Sequence, residues 1–272
     1  MTDLDQVSVD EIDTTKPHSA RMYDYFLQGK DNYEADQVAA EKAKKAFPTA
    51  EIAARANRQF MHRTTRWLAT EAGIRQFLDI GTGIPTRPNL HQVAQEVAPD
   101  SRVVYADNDP IVLRHAEALM RSTPEGRTAY IQADVKDPAS ILAADELHET
   151  LDLTRPVALS VNALLHFVPD EFQPYDIISR LLEPLVPGSY LVLSHLTYDF
   201  DRETIEGLVE SYGRGGIPTL GRSWDETMRF FEGLDLVEPG LVSTQRWRPS
   251  GEPLPGATDE AVSVYGAVAR KP

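Results

Sequence analysis

The segment Phe77-Leu-Asp-Ile-Gly-Thr-Gly83 runs from an apolar stretch directly into a pair of glycines. Without a Cβ, the backbone around Asp79, Gly81, Thr82 and Gly83 can turn sharply and approach a ligand closely. Asp107 ends the next apolar run, with Asn108 beside it. A carboxylate there can accept both hydroxyls of a ribose. The alternative role, capping the following helix, suits Asp109 better, because Pro110 then takes the first helical position and a helix Ile111 to Met120 follows. Asp134 repeats this logic after a third apolar run. Its carboxylate could accept an adenine amine while the Val135 N–H meets a ring nitrogen, and the capping role again falls more naturally to Asp137, which precedes Pro138. Read together, the spacing points to an adenosine-containing ligand.

These groups converge only if short strands end beside one another. Strand-forming runs are expected at Arg75 to Ile80, Arg102 to Ala106, Thr128 to Ala133, Pro156 to Val161 and Ser189 to Leu196, alternating with amphipathic helical stretches. Two later strands, Leu236 to Trp247 and Val262 to Ala269, flank a Pro/Gly-rich turn that permits an antiparallel pair. Upstream, helices are expected from Asp36 to Phe47 and from Thr49 to Ala72, the second with Ile52, Ala56, Phe60, Thr64 and Leu68 on one face. Further helices are expected around Arg202 to Tyr212 and Ser223 to Phe231. The predicted fold is therefore α/β: a Rossmann-like, doubly wound, mostly parallel sheet of seven strands whose last pair includes an antiparallel strand, with an α-helical N-terminal cap. The expected organisation is a mobile acidic tail over 1–16, a helical cap or lid over 17–73, and a Rossmann-like cofactor-binding and catalytic domain over 74–272.

Composition narrows the chemistry. With no cysteine, thiolate metal sites, disulfides and cysteine nucleophiles are excluded, and no metal site is expected. A formal net charge of −15 disfavours nucleic acid as a partner, since the phosphate backbone would be repelled. No apolar run approaches a membrane span, and the acidic start lacks the features of a secretory signal. A cytoplasmic protein acting on a small or medium-sized molecule, with no membrane partner and a homodimer left open, is the expectation.

The order glycine loop, ribose acid, adenine-side acid and post-strand-four segment resembles the class I S-adenosylmethionine-dependent methyltransferases. More narrowly, Pro17-His-Ser-Ala-Arg-Met-Tyr-Asp-Tyr-Phe-Leu-Gln-Gly-Lys-Asp-Asn-Tyr33, Asp79-Ile-Gly-Thr-Gly-Ile-Pro-Thr86 and Tyr105-Ala-Asp-Asn-Asp-Pro110 resemble an actinobacterial methyltransferase family formerly catalogued as a domain of unknown function. The resemblance implies S-adenosylmethionine as cofactor and S-adenosylhomocysteine as product, and leaves the acceptor open. One departure is Pro85 in place of the third glycine of the common loop, which makes the loop longer and stiffer. The next helix must start late, with Asn89 and Gln92 spaced as a capping box and Leu90, Val93, Ala94 and Val97 as its apolar face.

Rival cofactors lack their motifs. The sole Gly-Lys pair, Gly29-Lys30, has Asp24 where a phosphate loop needs glycine; no Tyr has Lys four residues later; and His148-Glu149 meets Asp152 where a zinc-protease helix needs His. A non-catalytic S-adenosylmethionine-binding sensor or scaffold, and an NAD-dependent oxidoreductase with unusual catalytic residues, remain as alternatives. Methyl transfer chiefly needs alignment of the acceptor, with a base for some acceptors only. Asn162 could hold the methionine amino group or position an acceptor, or be an ordinary turn residue. His166 is a base or positioning candidate, or a packed histidine. In the lid, Arg21 could pair with the methionine carboxylate and Tyr23 could border the reacting groups. Tyr198 and Asp199 are further candidates for the acceptor pocket. His195 reads as a satisfied core residue, and Arg55 and Arg58 as a solvated helix face from which one could reach the lid.

Overall fold

The structure is a computed structural model that describes residues 13–112 and 122–272. Five parallel strands form its centre: β1 (Gln76–Ile80), β2 (Arg102–Asp107), β3 (Arg127–Gln132), β4 (Ala158–Asn162) and β5 (Tyr190–Leu196). β8 (Val264–Arg270) runs antiparallel to β5, and the short β6 (Asp235–Leu236) and β7 (Val242–Ser243) both pair with β8. The spatial order is β3-β2-β1-β4-β5-β8-β6, with β7 also on β8. The doubly wound, mostly parallel sheet matches the expectation, with one difference in detail. The single strand anticipated from Leu236 to Trp247 is two pieces, because Pro239 has no N–H to give a ladder and Gly240 turns at φ +82°.

Side-chain alternation along β1 explains the layering. Phe77 packs with Phe60, Leu68, Leu90, Val103 and Trp247 on one face, whereas Leu78 and Ile80 join Ile141, Leu147, Ile177 and Leu181 on the other. The first face is covered by α3 (Ala50–Thr70) and α4 (Leu90–Val97). The second is covered by α5 (Pro138–Leu142), α6 (Asp145–Thr150) and α7 (Pro174–Leu182). A third apolar cluster joins α1 (Ser19–Phe26), α2 (Glu34–Ala46) and the start of α3 to α8 (Arg202–Arg214), through Met22, Phe26, Phe47, Leu208 and Tyr212. Near the chain's end stand the short α9 (Trp224–Met228) and α10 (Asp259–Val262).

Local signals place the helix starts. The Asn89 N–H donates to Gln92 Oε1 at 2.8 Å, the capping box read from the sequence, so α4 begins only after the proline loop. Asp109 accepts from the Ile111 N–H at 2.9 Å and Asp137 from the Ser140 N–H, freeing neither for a ligand. Beyond Val112 the expected helix to Met120 lies outside the described residues, as does the expected N-terminal tail up to residue 12. Among the described residues no helix is long and apolar enough to cross a membrane.

Candidate functional site

Strand order reverses between β1 and β4, and a crevice opens at the carboxyl ends of the strands where it does so. Its floor comes from Gly81, Gly83, Asp107 and Asn162, its roof from His18 and Tyr23 of the α1 segment and from Asn57 and Arg58 of α3. Together with its open mouth the cleft encloses about 720 Å³, a size suited to a nucleoside-sized ligand.

Both loop glycines adopt left-handed backbone, with φ +71° at Gly81 and +65° at Gly83. A Cβ on Gly81 would fall 2.7 Å from the Leu164 methyls, whereas one on Gly83 would meet nothing nearer than Ala20 Cβ at 3.9 Å. Gly83 therefore faces open cleft and Gly81 is locked over a side chain. Gly81→Ala should destabilise by about 2–4 kcal/mol, adding backbone strain to overpacking, and Gly83→Ala by about 1 kcal/mol from strain alone. Equal urea midpoints for the two variants would refute this distinction.

Asp107 is less free than its spacing suggested. Its Oδ2 accepts from the Gly83 N–H at 2.8 Å and its Oδ1 from the Asp109 N–H at 3.0 Å, so it joins the two loops that form the floor. Burial raises its pKa, opposed by those N–H groups and by His18. Asp79 faces the same side, in register between Tyr105 of β2 and Ser160 of β4. Burial holds its carboxyl up at about 7, against the lowering effects of the Ser160 hydroxyl and the Arg58 guanidinium. Thr82 lines the cleft and donates to Asp79 O at 3.2 Å, and exposed Asn108 borders its rim.

Arg55 and Arg58 were expected on a solvated face, with one of them able to reach the lid. Arg55 is exposed, but Arg58 turns into the cleft, where its guanidinium donates to the carbonyls of Thr86 and Pro88. His62, one turn on, meets Pro88 O at 3.0 Å. Burial and the Arg58 charge hold the His62 pKa at about 4, so the neutral ring donates its N–H to that carbonyl. The proline loop is thus strapped to α3. Pro85 and Pro88 have no N–H and the loop lies outside any ladder, so its carbonyls need donors from elsewhere. The Arg58 Nε remains buried without a partner.

Asn162 also lines the cleft. Its amide donates to Ser160 Oγ at 2.8 Å, which leaves its Oδ1 buried and unpartnered. The following residue, Ala163, has φ +51°, an unfavourable backbone held by bonds from its N–H to Ser194 O and Ser194 Oγ. Ser194 Oγ donates to Asn57 Oδ1 at 2.6 Å, Asn57 donates to the Tyr23 hydroxyl at 3.0 Å, and Tyr23 donates to Ala54 O at 3.0 Å. Tyr23 therefore borders the cleft with its hydroxyl already engaged. This chain connects α1, α3, β5 and the turn after β4.

Other expected site residues stand elsewhere. Arg21 does not line the cleft: it is buried between Asp36 and Asp109, with its Nε 3.6 and 3.5 Å from their carboxylates, and donates to the Asp13 and Lys16 carbonyls. Asp134 lies outside the cleft lining, its carboxylate taken by the Lys136 N–H and ammonium, and Val135 is packed in the core. His166 is buried just beyond the cleft with Nδ1 unpartnered, and burial plus the Arg222 charge hold its pKa at about 3. Tyr198 donates to Glu226, and Asp199 accepts from Trp224 N and the Tyr265 hydroxyl; neither lines the cleft. His195 is fully buried, meeting Leu196 O and Arg222 at 2.7 Å each, the satisfied core residue expected.

Comparison with known proteins agrees with this architecture. A profile of the family described as S-adenosyl methyltransferase matches residues 5–272. A DUF574-family protein from Streptomyces avermitilis has a crystal structure that superposes with TM-score 0.94 at 55% identity, covering 96% of this chain and 99% of that one. The "putative methyltransferase" of Thermobifida fusca superposes with TM-score 0.88 at 38% identity, covering 95% and 96%. The "putative S-adenosyl-L-methionine-dependent methyltransferase" of Mycolicibacterium paratuberculosis is 28% identical over 194 residues, which is 68% of this chain and 58% of that relative's length.

Proposed function

The chain belongs to the S-adenosyl methyltransferase family, and on that premise we propose that the cleft at the ends of β1, β2 and β4 binds S-adenosylmethionine for methyl transfer to a small molecule. The observation that carries this reading is the convergence of a left-handed glycine turn, a strand-end carboxylate and two unpartnered buried polar atoms on one cleft. The donor set fits the zwitterionic end of the cofactor. Arg58 Nε is an unspent cationic donor for a carboxylate, and Asn162 Oδ1 an unspent acceptor for an ammonium. Asp107 keeps lone pairs for ribose hydroxyls beyond the two N–H groups it already holds.

When bound, S-adenosylmethionine supplies an electrophilic methyl group on a sulfonium. The residues around it have to align an acceptor and keep water away. Tyr23 and Asn57 do this by fixing α1 against the turn that carries Asn162 and Ala163. His166, neutral and reluctant to take a proton, serves to position an acceptor better than to deprotonate it. Arg21 ties α1 to Asp109, next in the chain to the cleft-lining Asn108, so the cap is latched by a buried ion pair.

Asp79 makes the reading testable by pH. Its folded value of about 7 lies above the ordinary 3.8. Its contribution to the stability of the cofactor-free protein is therefore full below pH 3.8 and is lost as pH rises through about 7. Asp79, linked to Asn162 through Ser160, is placed to pair with the same ammonium when ionised. That binding runs the opposite way, so affinity for S-adenosylhomocysteine should fall about tenfold per pH unit below 7. Calorimetric titration from pH 5.5 to 8 checks this, with Asp79→Asn expected to flatten the profile. A wild-type affinity independent of pH, or tight NAD binding without S-adenosylhomocysteine binding, would overturn the assignment. Transfer of a labelled methyl group to acceptors distinguishes an enzyme from a cofactor sensor.

A further inference from the structure

A second cavity adjoins the cleft, and Ser19, Tyr23, Asn57, Ala163 and Phe167 border both. From this shared wall it extends between α1, α3 and α8, against Phe26, Phe47, Ala53, Leu196, Leu208 and Tyr212. With its open mouth it encloses about 610 Å³. Among the described residues no Lys, Arg, Asp or Glu borders it. A carboxylate, phosphate or ammonium placed there would lose its hydration with no counter-charge in return. An apolar ring would gain from burial.

Of the polar side chains on the border, Tyr23, Asn57 and Thr219 are engaged, while the Ser19 and Tyr212 hydroxyls form no side-chain hydrogen bond among the described residues. The Tyr23 hydroxyl and Asn57 satisfy one another and their neighbours, and the Thr219 hydroxyl donates to Ile217 O at 3.2 Å. Among the described residues His166 is the only imidazole on the border: it is 8% exposed and has a buried Nδ1 without a partner. Arg222, the nearby cation, is turned away, donating to His195, the Leu165 carbonyl and Asp170. A neutral imidazole offers one N–H and one lone pair.

We infer that this cavity is the acceptor pocket, and that it takes an uncharged, largely apolar ring compound whose single hydroxyl or amine hydrogen-bonds His166. The inference rests on the reading that the adjoining cleft holds the cofactor, because the shared wall then places such a ring beside the methyl group. It excludes acidic metabolites and nucleotides, whose charge would go uncompensated, as acceptors of this pocket.

Fluorescence titration of the full chain with 2-naphthol and with 2-naphthalenesulfonate, each with and without saturating S-adenosylhomocysteine, tests it. Saturable 2-naphthol binding is expected, with the sulfonate weaker by about tenfold or more. Ala53→Phe, which fills the cavity, should abolish naphthol binding while S-adenosylhomocysteine affinity is retained. His166→Leu should weaken naphthol by about fivefold or more with the same retention. Equal or tighter sulfonate binding to the wild-type protein overturns the inference without recourse to any variant, as does unchanged naphthol binding in a folded Ala53→Phe protein. Failure of S-adenosylhomocysteine to bind while naphthol still binds would overturn the cofactor reading, and with it the acceptor role of the cavity. Failure of naphthol alone overturns only the acceptor class.

Discussion

Asp107→Ala is expected to weaken S-adenosylhomocysteine binding by about 100-fold while the chain still folds. The magnitude follows from the carboxylate's double role. Besides the ribose contact proposed for it, Asp107 holds the Gly83 and Asp109 N–H groups, so its removal loosens both loops that shape the cleft floor. Each N–H left without an acceptor costs about 1–3 kcal/mol, unless water replaces the lost oxygen. Stability should fall by less than the sum of these, because the deletion also relieves a carboxylate whose ionised form is disfavoured by burial. Asp107→Asn keeps one acceptor oxygen and should lose about tenfold in affinity. Isothermal titration with urea denaturation of the same samples separates the two effects. An alanine variant that binds within about threefold of wild type would remove the ribose assignment.

The parts of the molecule legible from sequence are those fixed by local physics. Phe77, Leu78 and Ile80 announce a buried strand by composition, and the Asn89–Gln92 box announces a helix start through the spacing that lets each satisfy the other. Asp109 and Asp137 declared themselves as caps by the prolines that follow, which left Asp107 and Asp134 as site candidates. Only one of these two reaches the cleft. Both stood at strand ends, but Lys136, two residues on, holds the Asp134 carboxylate, while no Lys or Arg stands within five residues after Asp107.

What stayed hidden depends on which helix face meets which loop. Asn57 continues a stripe with Met61, Thr64 and Leu68, all buried, and a lone amide in such a stripe is itself a sign of a buried network. Arg58 carries no such sign. Its destination is set by carbonyls of a proline loop nearly thirty residues away, and by the packing of α3 on the sheet that brings them together. Arg21 shows the converse: a segment rich in charge and aromatics looked like a ligand clamp, yet its arginine and acids are engaged by other protein groups. Asp36 accepts from the His18 and Tyr33 N–H groups, and Asp24 from the Asp31 N–H and the Asn32 amide. Those carboxylates fold the cap, and His18, Ser19, Ala20 and Tyr23 are what the cap presents to the cleft.

Arg58→Met should be as damaging to cofactor binding as loss of Asp107, for a different reason, and pH tells the two apart. The methionine fills a similar volume but supplies no donor, so Thr86 O and Pro88 O lose the strap to α3 and the loop after Gly83 loses its fixed course. Arg58 also opposes the burial that raises the Asp79 carboxyl. Without the guanidinium that carboxyl must rise above 7, and the protein at neutral pH then holds a protonated Asp79 that cannot pair with an ammonium. Affinity for S-adenosylhomocysteine should drop by about 100-fold at pH 7 and recover in part by pH 8.5, whereas the Asp107→Ala deficit should be nearly constant over that range. Arg58→Lys restores the charge without the forked donor geometry, so it should return the pH midpoint toward 7 while leaving the loop contacts incomplete. If the midpoint for Arg58→Met stays at the wild-type value, the guanidinium does not set the ionisation of Asp79, and only its loop contacts and the proposed carboxylate contact remain.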